Sequence, residues 1–348
     1  MVALLNKLIL SLDGGGARAA ATTEFLSLIE QQLQRSGKTL RDEVDFFAGT
    51  SAGGTIALAL ACTDKSLDEI NNLHGEVNAA RLFRRNSRWP FIGGVLRPKY
   101  QRRGKLEVLQ QILGEARLGD VAAHQEALLV SYDVNARTPL VIKSTEPDHR
   151  SLLCTEVVDA TSAAPTFFPT AAVNINTTQR WLIDGGVVAN NPALCAIAEA
   201  RRRYQTSIDQ MRLLSIGTGH RTAAINGKAS QRWGAIQWAL KGQIMSVLSD
   251  ERIVAYQAQT ITRSGSYIRV DSELSPQPGL PNPPQQAMDC VTRDNIARIR
   301  DMGKFWFDQY GEAVVQLIFN QYQGPSIGRI DARSGRPMVL PDDETGAG

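Results

Sequence analysis

Cysteine is scarce in this 348-residue chain. The four thiols (Cys62, Cys154, Cys195, Cys290) lie far apart with no C-x-x-C pair. That excludes a disulfide framework or a cysteine-rich metal module and predicts reduced, packed thiols. Long apolar runs are missing too: the longest near a helical pattern is Ile56–Cys62, far short of the ~18 residues that cross a bilayer. No secretory leader is read at the start, where Asn6 and Lys7 precede a short apolar run that leads straight into glycines. The expectation is a soluble, cytoplasmic protein. Strong net charge is also lacking, at +3 overall, which excludes a histone-like basic chain and a polyanionic disordered one.

The near-neutral total hides an uneven distribution. Residues 81–105 carry nine cations and no acid, leaving 29 basic and 35 acidic residues elsewhere. A 43% hydrophobic content is enough for a sizeable core.

Short apolar runs alternate with helical patterns. Lys7–Leu12 reads as a buried strand ended by Asp13-Gly14-Gly15-Gly16. Residues 17–35 then carry helical spacing through Phe25, Leu28, Ile29 and Leu33. A short strand over Glu43–Ala48 runs into Gly49-Thr50-Ser51-Ala52-Gly53-Gly54 and a helix to Cys62. Ser66-Leu-Asp-Glu69 is a capping-box pattern. Ala127–Val134 with Leu140–Lys143 reads as a strand pair, and Trp181–Ile183 and Leu213–Ile216 as buried strands ending in glycines. Helices are expected at 235–259 and 293–311, and an irregular proline-rich loop at 275–284. The alternation predicts an α/β class fold: a three-layer α/β/α domain with a mostly parallel central sheet. The domain is expected over residues 1–322, and the Gly/Pro/Asp-rich residues 323–348 as a poorly ordered C-terminal tail.

Three glycine-rich junctions carry the chemistry. In Gly49-x-Ser51-x-Gly53 the serine sits between a strand and a helix. Flanking glycines remove side chains that would collide in a tight elbow, and the helix N-terminus places partial positive charge beside the hydroxyl. Gly14, Gly15 and Gly16 leave unobstructed amides able to hold an oxyanion, with Arg18 bracing the loop or attracting an anionic group. Alone, Gly14-x-Gly16-x-x-Ala19 also fits a dinucleotide fingerprint, but the second strand runs directly into the serine elbow. Asp184, at the end of a buried strand and before Gly185-Gly186, can reach Ser51 and take its proton if burial raises its pKa. His220 offers a competing Ser51–Asp184–His220 triad in the chain order of α/β-hydrolases.

Taken together, Asp13–Arg18, Gly49–Gly53 and Asp184–Gly186 resemble the patatin-like phospholipase family. Thr161–Pro169, Asp184–Pro192, Leu214–Gly219 and Trp233-Gly234 are similar to further segments of it. The resemblance implies a Ser51/Asp184 dyad without histidine, an oxyanion hole on the Gly14–Gly16 loop, and a phospholipase A type lipid acyl hydrolase that works through an acyl-enzyme. It implies no cofactor and no metal. Ala17 departs from the larger aliphatic residue often found before the loop arginine. Some leaderless bacterial members of the family are antiphage effectors gated by a cyclic dinucleotide, and the sequence is compatible with that subgroup and with a homo-oligomer.

The basic segment interleaves its cations with Phe83, Trp89, Phe91 and Tyr100. Arg84, Arg85, Trp89, Arg102 and Arg103 are its candidate contacts to an anionic membrane or to a cyclic dinucleotide activator, giving a protein peripheral at the membrane. The bland alternative is a solvated segment paired with acids of the body. DNA or RNA is not an expected partner, because the remaining surface is acidic on balance. A non-catalytic lipid-binding protein is the competing reading from another class.

Overall fold

The computed structural model describes residues 6–86, 93–94, 96–221, 224–240 and 250–339. Ten strands form one sheet: β1 (Lys7–Leu12), β2 (Phe46–Thr50), β3 (Glu126–Asp133), β4 (Thr138–Lys143), β5 (Ala171–Ile175), β6 (Thr178–Asp184), β7 (Met211–Ile216), β8 (Tyr267–Val270), β9 (Ile327–Asp331) and β10 (Arg336–Val339). The run β9-β8-β7-β1-β2-β3 is parallel throughout. Parallel strands need helical crossovers that cover both faces, so central strands read as continuous apolar runs. β2 is buried along its whole length and β1 from Leu8 onward.

The two faces carry separate cores. One packs the helices Ala19–Gln34, Ala52–Cys62 and Arg293–Ile318 on Leu8, Leu10 and Leu214; the other packs Ala193–Tyr204 on Ile9, Phe46 and Leu213. This is the expected three-layer α/β/α arrangement. Gly303 explains how closely the long C-terminal helix crosses Ala19–Gln34: a Cβ there would stand 2.6 Å from the Ala21 carbonyl oxygen. Among the described residues, no helix is long and apolar enough to cross a membrane.

One register detail positions everything that follows. β4 covers one edge of β3 over Leu128–Asp133. β2 pairs with Glu126–Val130 and antiparallel β6 with Ser131–Asp133, so these two must share the other edge, end to end. Thr50 is opposite Val130 and Asp184 opposite Ser131. The last residue of β2 and the last of β6 therefore point at each other across one step of β3.

Two expectations change. Residues 327–339, read from sequence as part of a tail, form a β9–β10 hairpin added to the sheet beside β8. Main-chain pairing on an existing edge demands little of side chains, so a Gly/Pro-rich stretch accepts it. Within the single helix expected over 235–259, the described residues hold Ala235–Leu240 and Arg252–Ile261 with Asp250 and Glu251 outside both, and 241–249 lie outside the described residues. Glu251 is drawn into a buried ion pair with Arg269 at 2.9 Å.

Candidate active site

Ser51 occupies the turn between β2 and the Ala52–Cys62 helix with φ +54° and ψ −124°. A non-glycine residue there is strained by about 1–3 kcal/mol and must be held by its surroundings. The glycines around it do that. A Cβ on Gly49 would come within 2.5 Å of the Gly53 carbonyl, and one on Gly53 within 2.3 Å of the Leu12 carbonyl. The helix is thus pressed against β1 where side chains have no room. The Ser51 amide donates to Thr161 Oγ1 at 3.0 Å, and that hydroxyl donates to the Val130 carbonyl. Thr161 ties the elbow to β3, a role not legible in the sequence.

Ser51 Oγ donates to Asp184 Oδ2 at 2.7 Å. The other carboxylate oxygen accepts from the Gly186 amide at 2.7 Å. Gly185 is required because the backbone passes so near β3 that a Cβ would stand 2.1 Å from the Val130 carbonyl. Burial pushes the Asp184 carboxyl up to about 6; the Gly186 amide, the Ser51 hydroxyl and the Lys105 charge pull the other way. Such a carboxylate is ionised at neutral pH and far more basic than an exposed aspartate.

The glycine loop is walled on two sides. A Cβ on Gly14 would meet Asn190 Oδ1 at 2.5 Å, one on Gly15 the Thr218 hydroxyl at 2.2 Å, and Gly16 has φ +58°. The Gly14 amide is engaged by the Asn190 carbonyl at 3.1 Å, and that of Arg18 by the Gly15 carbonyl at 3.2 Å. Among the described residues nothing accepts from the Gly15 or Gly16 amides. Asp13 anchors the base of the loop: Arg269 Nη1 and Nη2 donate to its two oxygens at 3.0 and 2.6 Å. Arg18 is buried, and its Nη1 donates to the Gln286 carbonyl at 3.4 Å. Burial draws it down to about 10. It does not line the cavity.

A cavity of about 830 Å³, counting its open mouth, begins at Ser51 and Asp184. Leu82, Phe83, Val108, Leu109, Phe167 and Phe168 supply its apolar wall. Two titratable residues that sequence reasoning did not single out also line it, His74 and Lys105. Burial lowers His74 to about 4, so its imidazole is neutral.

His220 lies elsewhere. Its Nδ1 is 3.1 Å from Asp271 Oδ2, and it does not line the cavity. The triad alternative therefore has no geometry behind it. His220, Glu251 and Asp271 bring ligand-type atoms within 4.8 Å of one another, but the Arg269 guanidinium already lies among them, 2.9 Å from Glu251 and 3.6 Å from Asp271.

The basic segment is partly neutralised. Lys99 pairs with Asp289, Arg102 and Lys105 with Asp159, and Arg103 with Glu107. Arg84 and Arg85 are exposed, as are Arg81 and Arg97, and no ion pair is formed by these four among the described residues. Trp89 lies outside the described residues.

The sequence profile of the patatin-like phospholipase family matches residues 10–197, which span the glycine loop, the elbow and Asp184. The chain belongs to the patatin-like phospholipase family. Membership supports hydrolysis of lipid esters as its activity class. Patatin-like protein 2 of Oryza sativa subsp. indica is 28% identical over 276 residues, covering 69% of this chain and 68% of that protein. Patatin group A-3 of Solanum tuberosum is 28% identical over 301 residues, with 75% of each chain covered. VipD from Legionella pneumophila superposes with a TM-score of 0.47 at 13% identity, over 92% of this chain and 68% of that one.

Proposed function

We propose that this patatin-like chain is a serine acyl hydrolase that cleaves phospholipid esters with Ser51 and Asp184. The observation that carries the reading is the 2.7 Å hydrogen bond from Ser51 Oγ to a buried carboxylate at the head of an apolar cavity. Ser51 Oγ attacks the ester carbonyl while Asp184 Oδ2 takes its proton. The developing oxyanion is held by the Gly15 and Gly16 amides. Collapse expels the alcohol, which receives the proton from Asp184 and leaves an acyl-serine. Water, losing its proton to Asp184, attacks that ester and releases the fatty acid with Ser51 restored. The apolar side chains of the wall suit an acyl chain, and the head group stays at the mouth.

An anionic membrane is the proposed partner at that mouth. Val77, Leu96 and Met288 are exposed on the segments that line or border the cavity, and the unpaired cations Arg81, Arg84, Arg85 and Arg97 belong to the same stretches. Apolar side chains that insert beside cations that meet lipid phosphate would hold the enzyme peripherally. Incubation with a serine-reactive fluorophosphonate separates this reading from a non-catalytic lipid binder: the enzyme is labelled at Ser51, and a binder is not.

A further inference from the structure

One cation of the basic segment is not at the surface at all. Lys105 is 1% exposed and contributes its side chain to the same cavity wall as Ser51 and Asp184. Its position is fixed by the preceding residue: a Cβ on Gly104 would stand 2.3 Å from the Arg81 carbonyl, so only glycine lets the Arg102–Leu113 helix approach there. Lys105 Nζ donates to the Asp159 carbonyl at 3.0 Å and to Ser162 Oγ at 3.3 Å, and sits 2.7 Å from Asp159 Oδ1. It also lies 4.6 Å from the Phe168 ring centroid.

The charge balance of this cluster is uneven. Asp159, itself 1% exposed, serves two cations: Lys105 at Oδ1 and Arg102 at Oδ2, each at 2.7 Å. Arg102, Asp159 and Lys105 together carry +1. Across the cavity, the ionised Asp184 is bonded only by the neutral Ser51 hydroxyl and Gly186 amide. Besides Ser51 and Asp184, the titratable groups on the wall are Lys105 and the neutral His74. Among the described residues that line the cavity, the one charge facing Asp184 is therefore that of Lys105.

We infer that Lys105 is a positioning residue for the reaction: as the buried end of the Arg102–Asp159–Lys105 trio, it supplies the counter-charge that keeps Asp184 ionised inside an apolar cavity. Burial works against the Lys105 ammonium, and Asp159 works to keep it. Loss of the positive charge leaves a buried carboxylate uncompensated, so Asp184 holds its proton, and stays inactive, up to a higher pH. The inference rests on the acyl-hydrolase reading.

The test is a pH profile of kcat/KM on a short-chain p-nitrophenyl ester, which needs no membrane. Lys105→Met keeps the stem, and Arg102 still neutralises Asp159. The expected result is an acid limb moved upward by about one pH unit or more, with activity recovering at alkaline pH. Arg102→Gln, at a half-exposed position, makes the trio neutral and moves the limb in the same direction by less; it carries the test if Lys105→Met does not fold. An acid limb unmoved in the folded variants, with activity lower by the same factor at every pH, overturns the inference and leaves Lys105 a packing residue. Failure of the hydrolase reading looks different: the unaltered protein would show no hydrolysis that Ser51→Ala abolishes.

Discussion

Arg269 on β8 grips both carboxylate oxygens of Asp13 at the end of β1, 256 residues away in sequence, and fixes the base of the glycine loop. The same guanidinium faces Glu251 and Asp271. Three buried carboxylates share one arginine. Burial raises Asp13 and Glu251. Asp271 is also opposed by burial, yet bonds and charges from His220 and Arg269 hold it below the ordinary carboxylate range. Arg269→Met should cost about 3–5 kcal/mol, the usual penalty for orphaning buried charges, and should depress kcat through the loosened loop. Urea denaturation and ester kinetics check this; unchanged stability would show that the cluster does not depend on its arginine.

The elbow stores strain that can be released. Ser51→Gly places a residue without a Cβ at φ +54° and should stabilise the fold by about 1 kcal/mol while removing the nucleophile. Gly53→Ala should do the reverse, because its methyl would meet the Leu12 and Asp13 carbonyls at 2.3 and 2.6 Å. Thermal unfolding of the pair gives opposite shifts. A Gly53→Ala protein as stable and active as the parent would mean that the close approach to β1 is not required.

The raised Asp184 carboxyl predicts two pH effects. As the base it must be ionised, so kcat/KM should climb through an acid limb near pH 6 rather than near the ~4 of an ordinary aspartate. Its folded-state pKa lies above the unfolded one, so ionisation costs stability as pH rises, on the order of 3 kcal/mol by about pH 8. Asp184→Asn should therefore be inactive yet more stable than the parent at about pH 8, with the difference shrinking toward about pH 4. A limb near pH 4 would contradict the buried environment assigned to this carboxyl.

Membrane attachment is predicted to depend on the unpaired cations and not on the engaged ones. Each of Arg81, Arg84, Arg85 and Arg97 contributes at most ~1 kcal/mol near an anionic surface, so replacing all four by glutamine weakens binding to anionic vesicles by up to roughly a thousandfold. The loss should fade at high salt. Hydrolysis of a small soluble ester should be spared, and adding cyclic dinucleotides to the same assay tests an activator directly. Equal loss on vesicles and on the soluble ester would instead assign these arginines to the fold.

Much of this site was legible because glycine leaves marks. Gly16, Gly49, Gly53 and Gly185 are each demanded by a backbone contact or a positive φ, Gly14 and Gly15 by the close side chains of Asn190 and Thr218, and their placement after apolar strands marks Ser51 and Asp184 in the sequence. The Ser66/Glu69 capping box was equally readable, and both of its bonds form. Lys105 was hidden because a lysine among nine cations reads as surface charge; its meaning depends on Asp159, 54 residues on, closing over it. Thr161 was likewise silent, since a threonine hydroxyl acquires its role only from the turn of β2 beside it. The β9–β10 hairpin escaped notice because edge pairing draws on main-chain groups that composition does not report.

Fatty-acid release from phospholipid vesicles, followed by mass spectrometry, tests the central claim most directly. The unaltered protein should liberate fatty acid and lysophospholipid. Ser51→Ala and Asp184→Asn, each verified as folded, should reduce the rate by about a thousandfold or more. Retention of release in either folded variant would contradict the Ser51/Asp184 account.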